Sequence, residues 1–434
     1  VERVWVYQRT NAETPMQTGR DFDFATVVAA QNPQAEAETM DSEDILFLLY
    51  TSGSTGKPKG VVHTCGGYMV YAEYSFRNVF QYGAGDIFFC TADIGWITGH
   101  TYMVYAPLLA GATQLMFEGI PTYPDAGRFW ELCDAHKVTH FYTAPTAIRS
   151  LMAAGDAFVN RADLSTLKLL GTVGEPINAE AWHWYDEKVG KKRCPIVDTW
   201  WQTETGGVLI SNLAGVTPSK PCFATLPLAG VQVCLLDADG HELLGNDVEG
   251  LLCIKFPFPS MIRSIYGDHE RCRTTYFSSF KGYYFTGDGA RRDHDGDYRI
   301  IGRVDDVINV SGHRFGTAEI ENAINEHQNV VESAVVGFPH DIKGEGIYAY
   351  LICNFPVADE AIFLAEICQT VSQFIGGIAR PDKIQIVSAL PKTRSGKIMR
   401  RILRKIAHNE LDTLGDTSTL FNPEIVAELI SGRK

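Results

Sequence analysis

The sequence has no C-x-x-C pair, no apolar run long enough to span a bilayer, no signal-peptide pattern, no internal repeat and no low-complexity tract. Each absence removes a class of protein. The 10 cysteines are scattered, and contexts such as Phe89-Cys90, Leu252-Cys253 and Ile352-Cys353 read as reduced core thiols rather than a disulfide or zinc framework. That predicts a cytoplasmic protein with no membrane partner. Positive charge is in deficit: 38 Lys+Arg against 52 Asp+Glu leave a net charge of −14, which argues against a dedicated nucleic-acid binder. A hydrophobic content of 45% and a charged content of 21% are those of an ordinary globular chain. At 434 residues the chain exceeds one typical core, so two or three domains are expected. There is no initiator methionine. Val1-Glu2-Arg3-Val4-Trp5-Val6-Tyr7 reads as a strand, as though the chain started mid-domain.

Glycine and hydroxyls, by contrast, are concentrated at 50–63, YTSGSTGKPKGVVH. Ile45-Leu46-Phe47-Leu48-Leu49-Tyr50 precedes it and reads as a buried strand. Gly53, Gly56 and Gly60 permit positive φ and close approach of backbone N–H groups to an anion. Thr51, Ser52, Ser54 and Thr55 add hydroxyl donors, and Lys57 and Lys59 add charge. The common phosphate loop, G-x-x-x-x-G-K-[ST], is excluded: Thr51 stands where its first glycine belongs, and Pro58 follows the lysine. Glycines alone would read as an ordinary surface loop. Four hydroxyls and two lysines after a strand read as a phosphate grip of another kind.

From 41 to 210 strand-like and helix-like segments alternate, which predicts an α/β fold with a parallel sheet and ligands at the carboxyl ends of its strands. Strands are expected at 86–90, 113–117, 139–142, 167–173 and 195–200. Helices are expected at 126–136, from Pro145, and over 178–189. From about 225 to 304 short strands separated by turns predict a mostly antiparallel β subdomain. The aspartate-rich turn 293–297 lacks the closing glutamate of an EF-hand and reads as a hairpin turn. After Asp306 a tail of about 130 residues suffices for a small α+β domain. The predicted organisation is therefore a large domain, 1–304, and a small one, 305–434.

Six motifs fall in order: Thr51–Gly60, Gly174-Glu175-Pro176, Asp198-Thr199-Trp200-Trp201-Gln202-Thr203-Glu204, Tyr284-Phe285-Thr286-Gly287-Asp288, Gly302-Arg303-Val304-Asp305-Asp306 and Pro391-Lys392-Thr393-Arg394-Ser395-Gly396-Lys397. The set resembles the acyl-adenylate-forming superfamily. The double tryptophan, with the segment Thr91 to His100, is similar more narrowly to the AMP-forming acetyl-CoA synthetases. The resemblance runs from residue 1 to the C-terminus. Members carry a long section before the point where this chain begins, so that section is expected to be absent here, putting stability and activity in doubt.

The resemblance implies two half-reactions: a carboxylate attacks the α-phosphate of ATP to give acyl-AMP and pyrophosphate, and CoA thiol then displaces AMP. It assigns Thr51, Ser52, Gly53, Ser54, Thr55, Gly56 and Lys57 to the β- and γ-phosphates. Gly174, Glu175 and Pro176 flank adenine, and Asp198 accepts from its amine. Thr199, Trp200 and Gln202 line the nucleotide, and Asp288 takes the ribose hydroxyls as a two-oxygen acceptor. Arg303 reaches ribose or phosphate, Thr203 the α-phosphate, and Glu204 ligates Mg²⁺. Alone, Asp288 would read as a turn residue and Arg303 as half of a surface ion pair. The acyl pocket is assigned to Ile97, Thr98, Val173 and Trp201, the indole closing it after one or two carbons. Adjacent strand residues face opposite ways, so Trp200 reads as core and Trp201 as ligand-facing. Asp305 matches a hinge about which the small domain swings, and Lys397 the lysine that enters for adenylation. On its own the basic run 392–405 would read as a solvated face or a nucleic-acid contact. Lys397 is also an expected target of a lysine acetyltransferase and deacetylase, which would remove and restore its charge. Ser311, Gly312 and Arg314 match a CoA-facing segment, with Arg314 counted in the catalytic set. Val371-Ser372-Gln373-Phe374 departs from the family, whose members carry basic residues there. A CoA phosphate contact is then missing or supplied by another residue such as Arg380, and CoA affinity is expected to be weak.

The leading expectation is acetate:CoA ligase using ATP, Mg²⁺ and CoA. Propionate:CoA ligase stays open, as one methylene is weakly discriminated. So does a catalytically impaired nucleotide-binding fragment of such an enzyme.

Overall fold

The apolar run ahead of the glycine-rich segment forms strand Ile45–Thr51 in a computed structural model that describes residues 1–10, 12–51, 58–311, 313–354, 357, 359–392, 398–414, 417 and 420–434. The strand is not buried as expected. It is the edge of a three-stranded antiparallel sheet with Lys59–Thr64 at the centre and Ser264–Ile265 beyond, and Ile45 and Tyr50 are exposed. An edge strand has a neighbour on one side only, so its side chains have fewer strands to pack beside. Pairing of Thr51 with Lys59 brings the two ends of the glycine-rich segment together.

The alternating region folds into a five-stranded parallel sheet in the order Thr113–Leu115, Ile87–Cys90, His140–Thr143, Leu169–Thr172, Ile196–Asp198. His140–Thr143 and Leu169–Thr172 are buried throughout, as parallel strands covered on both faces must be. The chain leaves Ile87–Cys90 to one side and returns on the other, so a switch point lies between neighbouring strands. Helix Pro145–Ala154 starts on its proline as expected. The helix expected over 178–189 is α-helical over Ala179–Trp184 and continues as a π turn, Tyr185–Val189.

Helix Cys65–Phe80 was not legible in the sequence. Its Gly66-Gly67 start resembles a loop, yet both glycines are packing necessities. A Cβ at Gly67 would stand 2.1 Å from the Pro259 carbonyl oxygen, and one at Gly66 would stand 2.7 Å from Ser42 Cβ. The helix buries Phe76 and Phe80 against Phe88, Tyr102 and Tyr142 in one aromatic core.

Within 225–304 four strands form an antiparallel sheet in the order Val233–Leu236, Val248–Ile254, Tyr284–Arg292, Tyr298–Arg303. The same region also holds helix His269–Phe277, capped by Asp268, which the β reading missed. The turn 293–297 is a hairpin connection, and its carboxylates close on an internal cation. Lys220 Nζ donates to Asp295 at 2.9 Å and Asp297 at 3.3 Å, and also to Asp293.

After Arg303 a new sheet begins. His313–Gly316, Val307–Val310, Gly344–Cys353 and Val330–His340 are antiparallel neighbours, and Lys383–Ile386 lies parallel to Gly344–Cys353. Alternation along these strands sorts two cores. Val335, Ile347 and Ala349 meet helices Thr317–Asn325 and Glu360–Phe374, whereas Val336, Tyr348 and Tyr350 meet Arg400–Ala407 and Ile425–Ser431.

Residues 42–434 pack as one unit, and Val1–Asp41 forms another. The latter is a parallel pair, Val4–Val6 with Asp21–Asp23, and helix Phe24–Ala29, whose N-terminus Asp23 caps at 2.8 Å. No described helix is long and apolar enough to cross a membrane.

Candidate active site

The carboxyl ends of the parallel strands deliver the segments singled out in the sequence. Leu169–Thr172 leads into Val173 and Gly174, Ile196–Asp198 into Thr199–Glu204, and Ile87–Cys90 into the loop that ends at Ile97 and Thr98. Gly174 has φ 98°, a conformation open to glycine and costly for other residues. Glu175 beside it accepts from Arg149 Nη2 at 2.8 Å and from the Thr146 hydroxyl, so helix Pro145–Ala154 sets its direction.

Thr203 and Glu204 lie on a single 3-10 turn, Thr203–Thr205. Glu204 is buried, and its Oε1 accepts from the Tyr276 hydroxyl at 2.5 Å and faces Lys59 Nζ at 2.7 Å. Burial raises its pKa, but the ammonium and the hydroxyl outweigh burial, and the carboxyl is held below its ordinary value. Lys59 also donates to the Tyr276 hydroxyl. The Tyr276 ring stacks on Tyr284 at 5.3 Å with an interplanar angle of 3°. The carbonyl of Thr203 accepts from His63 Nε2 at 2.7 Å. His63 is buried between Phe47 and Tyr68, and burial pushes its pKa down to about 4, so it is neutral and donates from Nε2.

Two further carboxylates are buried without an ammonium in contact. Asp198 takes the Thr172 hydroxyl at 2.6 Å, and burial raises its pKa to about 7. Asp288 takes Gln202 Nε2 at 2.6 Å, with the Arg303 guanidinium 3.8 Å away; burial raises it to about 6 against the pull of Arg303. Gln202 is itself held by the Tyr284 hydroxyl at 3.1 Å and donates to Thr286 O at 2.8 Å. Arg303 donates to the same carbonyl at 2.9 Å. Asp288 is therefore not an isolated turn residue, and Arg303, with its side chain 47% exposed, pairs with that buried carboxylate.

Ile97 and Val173 are buried in one apolar cluster, and the half-buried Trp201 packs against it, edge to face with Tyr102 at 5.2 Å. Trp200 is buried in the same cluster, and its backbone bridges to Ile210. The Trp201 Nε1 is buried with no hydrogen-bond partner of good geometry among the described residues. The same holds for Thr51 Oγ1 at the entrance to the glycine-rich segment.

Ser52, Gly53, Ser54, Thr55, Gly56, Lys57, Gly312 and Lys397 lie outside the described residues, as do the side chains of Arg314 and Asp305. The backbone of Arg314 pairs with Asn309, Asp305 lies in the 3-10 turn Val304–Asp306, and Ser311 donates its N–H to Lys343 O at 2.9 Å. Arg380 Nε donates to Ser372 Oγ at 2.5 Å, filling the neighbourhood where a basic residue was expected.

Sequence reasoning missed Tyr276, His63 and Thr172, and named Tyr284 only as the opening residue of a motif, with no role. Lys59 was noticed only as loop charge. No spacing connects residues 59, 204 and 276, because their contact exists only after three separate elements meet.

Residues 3–266 match the AMP-binding enzyme family and residues 319–397 the AMP-binding enzyme C-terminal domain. The chain is 59% identical to the acetyl-coenzyme A synthetase of Syntrophobacter fumaroxidans over 436 residues. It is 58% identical to those of Rhizobium meliloti, over 435 residues, and Saccharophagus degradans, over 433. Each match covers 100% of this chain and 67% of the relative.

Proposed function

The chain belongs to the AMP-binding enzyme family, and we infer that it is an acetate:CoA ligase that forms acetyl-CoA, AMP and pyrophosphate from acetate, ATP and CoA. One observation carries the site assignment. The turn bearing Thr203 and buried Glu204 holds Glu204 against the Lys59 ammonium, and Gln202 just before it donates to the buried Asp288 carboxylate.

Asp198 accepts from the adenine amine and Asp288 from the ribose hydroxyls. Both are desolvated, which makes them strong acceptors for neutral donors. Glu175, oriented by Arg149 and Thr146, lies along the adenine edge. Acetate enters beside Trp201, whose indole fills the space a longer chain would need. The segment 51–57 holds the β- and γ-phosphates, and Thr203 the α-phosphate. Glu204 fits a cation: its buried carboxylate already takes an ammonium at 2.7 Å. Mg²⁺, when bound, offsets the charge of the polyphosphate. Lys397 draws the acetate oxygen and the α-phosphate together, and catalysis is chiefly positioning and charge neutralisation. The small domain, 305–434, then turns about Asp305 to present Ser311, Gly312 and Arg314 to CoA, and Arg380 supplies a phosphate contact in place of the family's basic residues. Acetylation of Lys397 would stop the first half-reaction. Ten unpaired, largely buried cysteines support a cytoplasmic setting.

Carboxylate-dependent ATP–pyrophosphate exchange tests this reading, with acetate, propionate and butyrate in parallel. Exchange with acetate well above butyrate is expected. Propionate above acetate would reassign the substrate, and ATP binding without exchange would make this chain a binding-competent but inactive form.

A further inference from the structure

The strand Lys59–Thr64 grips the Thr203–Thr205 turn at two points. Residues 59, 61 and 63 share one face of a strand. On that face Lys59 meets the Glu204 carboxylate at 2.7 Å and His63 the Thr203 carbonyl at 2.7 Å. Lys59 is only 16% exposed and Glu204 10% at the side chain, so this is not a solvent-screened pair. Both Lys59 and Tyr276 engage Oε1. A buried carboxylate with an ammonium in contact is a cation site with its own counter-ion already in place.

We propose that Lys59 is a tethered counter-ion for Glu204: it holds the cation position in the nucleotide-free protein and gives it up when a divalent metal and nucleotide enter, its ammonium passing to the phosphates. The proposal rests on the ligase reading above. Lys59 is suited to the exchange because its backbone is pinned by pairing with Thr51, at the mouth of the phosphate-holding segment. A flexible four-carbon stem carries a compact charge between two anions without moving the strand. The arrangement makes a bare metal ion compete with the ammonium for Glu204 before ATP arrives, weakening its binding, and leaves no uncompensated buried carboxylate meanwhile. Lys59 here is a positioning residue whose partner changes.

Mn²⁺ binding to the nucleotide-free protein, measured by electron paramagnetic resonance, tests it. Lys59→Met is expected to bind Mn²⁺ at least about tenfold more tightly than wild type, because a buried carboxylate has lost its partner. Lys59→Arg is expected to stay at the wild-type value. Equal Mn²⁺ affinity in wild type and Lys59→Met would overturn the proposal. If Lys59→Met does not fold, amine footprinting of the wild-type chain decides. Saturating Mn²⁺ alone should raise acylation of Lys59 several-fold, and added ATP should suppress it. Unchanged labelling would mean that metal reaches the other carboxylate oxygen without displacing Lys59, and the proposal falls. A wild-type chain that binds no Mg²⁺–ATP would remove the ligase reading and this inference together. Normal Mg²⁺–ATP binding with no change in Mn²⁺ affinity would remove only the inference.

Discussion

Asp198, proposed above to bind adenine, works against the fold that holds it. Burial raises its pKa to about 7, above the ordinary carboxylate value, so the native state binds its proton more tightly than the unfolded chain does. The stability this provides is fully present below the unfolded pKa, near 4, and is lost as pH rises through about 7. Asp198→Asn is therefore expected to melt higher than wild type at about pH 8, with the gap closing toward about pH 5. Nucleotide affinity should fall at the same time, since an amide presents one acceptor oxygen fewer to the adenine amine. Thermal scans across pH, paired with AMP titrations, check both halves. The role proposed for Trp201 rests on volume rather than charge. Trp201→Ala is expected to lower the preference for acetate over butyrate by about tenfold or more, because methylene-sized discrimination depends on a filled pocket. The ratio of kcat/KM values for the two acids reads this directly.

The elements explain why the residues stay put. The loop leaving Ile87–Cys90 returns tightly into Ile97, and Gly99 makes that return possible. A Cβ there would stand 2.3 Å from the Asp93 carbonyl oxygen and 2.5 Å from Ile94 Cα. Gly99→Ala is expected to push this loop outward, raising the KM for acetate and costing about 1–3 kcal/mol of stability. Urea unfolding and steady-state kinetics separate the two effects. Ile97 is expected to move with the loop, which is why the proposed acyl pocket should respond to a change at Gly99. Stacked Tyr276 and Tyr284 do comparable work on the other side: one hydroxyl reaches Glu204 and the other Gln202, which in turn holds Asp288. In the small α+β region Arg400 packs its guanidinium against Glu321, at 2.6 Å, just after the segment carrying Lys397. That pair anchors helix Arg400–Ala407 to helix Thr317–Asn325.

For the whole molecule the issue is how one site serves two chemistries. Lys397 is expected to act only while phosphate leaves, and Arg314 with Ser311 only while CoA attacks. Lys397→Ala is expected to abolish acetate-dependent ATP–pyrophosphate exchange while leaving acetyl-CoA formation from supplied acetyl-AMP and CoA largely intact. Loss of both half-reactions would instead point to a fold defect, which circular dichroism of the same preparation would reveal.

The order of motifs and the α/β alternation were readable from residue types, because glycine at positive φ, proline at a helix start and apolar periodicity are local requirements. Besides helix His269–Phe277, which the β reading missed, two elements mark the boundary of that reading. Helix Cys65–Phe80 was hidden by glycines that answer to Ser42 and Pro259, and strand Ile45–Thr51 was taken as buried when sheet order makes it an edge. The amino-acid sequence by itself determined the ordered set of short motifs, and with it the family. Only the tertiary structure decided their electrostatic state. Whether a carboxylate is left desolvated, as in Asp198, or meets an ammonium, as Glu204 meets Lys59, depends on contacts between elements far apart in the chain. Charge–charge energies inside a fold are set by distance and burial, which no local pattern encodes.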